Sequence, residues 1–162
     1  MRTAWLFAIF ALQSVQGSAG AIEFESLGRA SPVGSDPRVA AVYIVQSLEN
    51  VAKLPEVITA EHRKAIGGLD YSSRLVIAVF RGEVGTGGYS ITVLDIKVEQ
   101  QRLEITAELT NPAKDSMTTF GFSSPYHLVA VPKAKFAEAR IGSWLLRDKE
   151  GRVLAESKAG LK

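Results

Sequence analysis

The sequence has no cysteine. That excludes disulfides, thiolate metal sites and thiol catalysis, so any folded core must hold without covalent staples. Histidine is almost as scarce. His62 and His127 stand far apart in the chain and share no metal-ligand spacing, which argues against a zinc site. Charge of one sign is also missing: 19 Lys and Arg against 17 Asp and Glu leave a formal +2. The late basic residues Lys133, Lys135, Arg140, Arg147, Lys149 and Arg152 have Glu138, Asp148 and Glu150 among them. This is the pattern of a solvated face and not of a nucleic-acid footprint. Finally, no apolar run approaches the roughly 20 residues that a membrane-spanning helix needs.

What is present begins with an export pattern. Met1 and Arg2 form a short basic head, residues 4–12 (AWLFAIFAL) are uncharged and apolar, and small or polar residues follow. Ala19-Gly20-Ala21 supplies small side chains where a signal peptidase reads them. The expectation is a signal peptide over 1–21, cut after Ala21, with Ala19 as the second choice. The product would be secreted, periplasmic or extracellular. Residues 22–162 are the length of one domain.

The mature stretch reads as mainly β: an antiparallel sheet or sandwich of six to eight strands with one or two short helices. A short strand near 22–26 precedes a loop rich in Gly, Pro and Ser, and 39–45 (VAAVYIV) is a buried strand. Ser47 is placed to cap a helix that Pro55 ends after about two turns. Thr59 caps a second helix, stopped by Gly67-Gly68. Asp70 is placed to accept backbone amides two residues on and so turn the chain into a central strand over 74–81.

From there the period is two. Ile91 and Val93 share a parity with Tyr89, whereas Leu94, Ile96 and Val98 have the other. A strand cannot absorb that shift without an extra residue, so a β-bulge is expected between Val93 and Leu94. Gln100-Gln101 is a hairpin tip, and 102–110 forms the return strand until Asn111-Pro112 breaks it. A further strand covers 126–131 and ends at Pro132. The last hairpin joins 143–147 to 152–156.

Two segments carry a family resemblance. The first is Asp70-Tyr71-Ser72, the strand 75–80, then Arg81-Gly82-Glu83-Val84-Gly85-Thr86-Gly87-Gly88-Tyr89-Ser90-Ile91. The second is Ser124-Pro125-Tyr126-His127-Leu128-Val129-Ala130-Val131-Pro132-Lys133. Together they resemble the C-terminal domain of the protease complex subunit PrcB family, over roughly 70–133. The tail 134–162 has no counterpart in it. The resemblance implies an exported accessory subunit that associates with, or stabilises, a protease. It implies no catalytic residues and no cofactor, and it makes a protein, with a protease as candidate, the expected partner.

The candidate contact residues are Gly85, Thr86, Gly87, Gly88, Tyr89, Pro125, Tyr126 and His127. Gly85 to Gly88 precede a strand and lack the Gly-Lys-Ser/Thr of a phosphate loop. One reading makes these glycines turn formers. Another makes the loop a contact surface, with Tyr89 as the kind of ring that interfaces favour. Thr86, Gly88 and Tyr89, with Gly87 inserted, also resemble the Thr-Thr-Gly-Tyr loop of chagasin-type inhibitors, which makes direct protease inhibition an alternative. An unrecognised hydrolase is the third reading, and it would need a polar pocket at His127. The expected place of His127 is structural, that of His62 a solvated helix face, and that of Trp144 and Phe136 a core cover.

Overall fold

The computed structural model describes residues 20–157. Residues 1–19 of the signal peptide expected over 1–21 lie outside them. Its centre is the strand β3 (Arg74–Phe80), in which six consecutive residues are buried. A strand covered on one face would alternate, so a continuous apolar run means cover on both faces. Leu75, Ile77 and Val79 point into one core, and Val76, Ala78 and Phe80 into another.

The first sheet has the order β1-β8-β3-β2, with β1 (Glu25–Ala30), β2 (Ala41–Val45) and β8 (Tyr126–Pro132) all antiparallel to their neighbours. The second has the order β10-β9-β6-β5, built from β5 (Ser90–Glu99), β6 (Arg102–Thr110), β9 (Ser143–Asp148) and β10 (Val153–Ser157). Only β6 and β9 run parallel, because β8 and a helix intervene between them. The inner faces of the two sheets enclose one core, including Ile77, Val129, Ile96, Ile105 and Leu146. Helices α1 (Leu48–Val51) and α2 (Ala60–Gly67) flank the other face of the first sheet, where Leu54, Ile58 and Ile66 meet Phe80 and Tyr126. A third sheet has only β4 (Val84–Thr86) and β7 (Phe120–Ser123).

The mainly antiparallel β architecture is as the periodicity implies. The strands number ten among the described residues, above the expected six to eight, since β4 and β7 are too short to show a period. The first strand lies at Glu25–Ala30, later than 22–26. The bulge is where parity places it: Val93 pairs with Ala107 and Asp95 with Thr106, leaving Leu94 as the extra residue, 46% exposed. Gln100 and Gln101 have φ of 49° and 65°, the left-handed geometry of a tight hairpin turn.

The Thr59 hydroxyl accepts the His62 amide, as a helix cap should. Ser47 occupies the N-cap position without a side-chain cap bond. The Asp70 carboxylate accepts the Ser72 amide at 3.0 Å and the hydroxyls of Ser72 and Ser73, which hold its pKa down at about 2. A third helix, α3 (Lys133–Ala139), follows Pro132 directly and buries Phe136. Ala134, Lys135, Ala137, Glu138 and Ala139 are helix formers, a signal the apolar pattern overshadows. Among the described residues no helix is long and apolar enough to cross a membrane.

Candidate functional site: an apolar two-stranded ribbon

The glycine-rich loop forms one half of the β4–β7 ribbon. Val84 pairs with Ser123 and Thr86 with Phe120, with an irregularity at Gly85. Gly88 is required by its surroundings, and Gly87 is closely approached by a side chain. A Cβ on Gly87 would lie 2.3 Å from Thr119 Oγ1, and one on Gly88, at φ +85°, would lie 2.9 Å from Pro112 Cβ. The segment after β6 therefore packs against bare backbone here. These glycines are shape residues first.

Arg81 fastens the base of the loop. Its guanidinium donates to Ser90 O at 3.2 Å, Thr110 O at 2.7 Å and Asn111 Oδ1 at 2.6 Å. It also lies 4.7 Å from the centre of the Tyr89 ring. The Tyr89 ring is thus engaged within the molecule. The far side of the ribbon is fastened by serines. Buried Ser123 donates to Thr86 O at 3.1 Å and accepts from Ser31 Oγ at 3.2 Å. Ser124 donates its amide to Pro32 O. Val33 forms a bridge to Ser123, and the Gly34 amide donates to Phe122 O.

On this anchored frame the large apolar side chains face solvent. Phe120 is 100% exposed, Phe122 57% and Val33 78%, and Met117 is fully exposed just before the strand. Scattered exposed hydrophobics are ordinary, whereas Phe120 and Phe122 share one four-residue strand, which makes the ribbon a candidate contact surface. Met117, Phe120 and Phe122 were not among the residues that sequence reasoning nominated. The Phe-x-Phe spacing was visible, but nothing local said that the pair would stay outside.

Pro125, Tyr126 and His127 go the other way: all three are buried. They offer no surface, so the contact role expected for them is corrected to an internal one. Consecutive strand residues point to opposite faces. Tyr126 turns toward α2, where its hydroxyl accepts the Thr59 amide at 3.0 Å and meets His62 Nδ1 at 2.8 Å. His62 is half-buried against that ring and not on a solvated face. His127 turns toward the second sheet, where its Nδ1 accepts the Val93 amide at 2.9 Å and its Nε2 lies 2.8 Å from Ser26 Oγ.

A serine within reach of a histidine invites comparison with a nucleophile and its base. The tautomer opposes it. Because Nδ1 accepts an amide hydrogen, the proton of the neutral ring sits on Nε2, which donates to Ser26. Nε2 then has no lone pair to take the serine proton. Burial, with a contribution from Arg29, pushes the His127 pKa down to about 4, which keeps the ring neutral. Among the described residues no group of three or more His, Asp or Glu is arranged to hold a metal.

The ribbon, the Arg81 clasp, the bulged β5 and the His127 strand all lie within one continuous stretch of chain. Residues 75–132 match the family model PrcB C-terminal. The PrcB match thus runs from β3 to β8 and contains the whole ribbon except its bridge to Val33. It omits β1, β2, all three helices and the closing hairpin β9–β10. Searches of curated proteins and of solved structures found no match to the chain. The PrcB match agrees with the resemblance read from the two sequence motifs.

Proposed function

We propose that this chain is an exported, non-catalytic accessory protein that associates with a protease through the β4–β7 ribbon. The observation that carries the reading is the exposure of Phe120 and Phe122 on a ribbon cross-linked by Ser123 and led by the loop that Arg81 fastens to β5 and β6. Aromatic side chains on a fixed backbone lose little freedom on binding and are favoured interface anchors. The PrcB match over the same residues supports a protease as the partner class. The basic head and short apolar run before Ala19 support export.

The test is purification of the tagged protein from its native host beside a Phe120→Asp/Phe122→Asp variant. Co-purification of a protease with the parent and its loss from the equally stable variant is the expected result. Equal recovery of the protease with both proteins would remove the ribbon from the interface. A pure monomer in both cases would remove the accessory role. A captured protease that is stoichiometrically inhibited would favour the inhibitor reading, with the same ribbon as its wedge.

A further inference from the structure

We infer that the chain is cut after Ala19, so that the mature protein begins at Gly20 and not at Ile22. The inference rests on the exported reading above. The cut is hydrolysis of the Ala19–Gly20 amide by a signal peptidase. Water supplies the hydroxyl of the Ala19 carboxyl group and a hydrogen of the Gly20 amine.

The argument starts from the outer edge of β5. This strand ends its sheet, so its outward amides and carbonyls have no strand of that sheet to pair with. Residues Gly20, Ala21 and Ile22 cover that edge. The Val98 amide donates to Gly20 O at 3.1 Å, and the Ile22 amide donates to Ile96 O at 2.8 Å. Between them Ala21 forms an antiparallel bridge to Lys97. Ile22 is itself buried, with its side chain in the core between the sheets. A cut after Ala21 would discard the acceptor of the Val98 amide together with the bridge.

A second observation comes from the identity of residue 20. A Cβ on Gly20 would lie 3.2 Å from Val98 O. A side chain there would be crowded by the β5 backbone. The fold therefore explains why this position is glycine. A residue discarded with the leader would carry no such requirement, because the peptidase reads the small residues one and three positions before its cut. A cut after Ala19 places Ala19 and Gly17 at those positions, and both are small.

The experiment is intact-mass and N-terminal analysis of the protein recovered from outside the cytoplasm of its native host. A chain beginning at Gly20 is expected. A chain beginning at Ile22, or one that keeps Met1, would overturn the inference and leave export standing, whereas recovery of the protein only inside the cytoplasm would overturn the exported reading. A direct measurement checks the reason given. Purified 20–162 should melt roughly 2–4 °C above purified 22–162 if the lost pairing costs what one hydrogen bond does. Equal melting points would sink the structural argument.

Discussion

The backbone amide of Val93, at the bulge of β5, donates to Nδ1 of His127 on β8 across the space between the two sheets, at 2.9 Å. β5 is an edge strand, and without the imidazole this buried amide would face apolar side chains. Nε2 of the same ring reaches Ser26 on β1, and Arg29 of β1 donates to Thr92 of β5 at 2.7 Å. His127 therefore joins the two sheets where they meet.

Replacing His127 by Phe keeps a planar ring, though a larger one, and removes the acceptor. A buried amide left unpaired costs about 1–3 kcal/mol. The urea midpoint of His127→Phe should fall accordingly with an unchanged slope. Ser26→Ala should cost less, since Ser26 is exposed and water can replace it. A His127→Phe variant as stable as the parent would show that the bond contributes nothing.

The same ring makes stability depend on pH. The folded pKa, about 4, lies below the ordinary value of 6.5. The unfolded chain then binds more protons than the folded one between these values, so stability rises with pH across that window. The contribution is complete above pH 6.5 and is lost as pH falls toward 4. Protonation of Nδ1 would set donor against donor at the Val93 amide. Comparing urea midpoints at pH 7.5 and 4.5 should show a larger drop in the parent than in His127→Gln, which carries no titrating group.

The ribbon aromatics should behave in the opposite manner. Phe120 and Phe122 bury little, so Phe120→Asp/Phe122→Asp should leave stability within about 0.5 kcal/mol per substitution. Solubility should rise as the apolar surface is removed. A cooperative loss of stability on thermal unfolding would show that the two rings support the fold instead of facing a partner.

Arg81 holds the loop to the end of the β5–β6 hairpin, so Arg81→Ala should free the loop before it harms the core. The expected readout is faster amide hydrogen exchange over 82–92 with the exchange of β3 and β8 little changed. Arg81→Lys should not restore protection, because an ammonium cannot present the planar fork that reaches Ser90, Thr110 and Asn111 together. Uniform exchange across the domain in Arg81→Ala would mean that the clasp is global.

The elements read correctly from the sequence are those whose signal is local. The bulge at Leu94 followed from a break in parity, the Gln100-Gln101 hairpin tip from its place between two alternating runs, and the Asp70 turn from the reach of an Asx side chain. The α2 cap at Thr59 is of the same kind. The ribbon was half legible: its glycine strand was nominated, but its aromatic strand was not, because exposure of Phe120 is not a local property. Helix α3 was missed although its residues favour helix, since the apolar strand before Pro132 dominated the pattern.

The order of residue types along the chain, by itself, determined the mainly β architecture and the positions of its turns, because alternation, capping and turn chemistry act over a few residues. Only the tertiary structure decided that Tyr126 and His127, adjacent in sequence, serve opposite layers, and that the Phe120–Phe122 ribbon stays in solvent. The reason is that burial and hydrogen-bond partnership depend on what distant segments bring to the same place. Val93 and His127 become partners only when β5 and β8 meet.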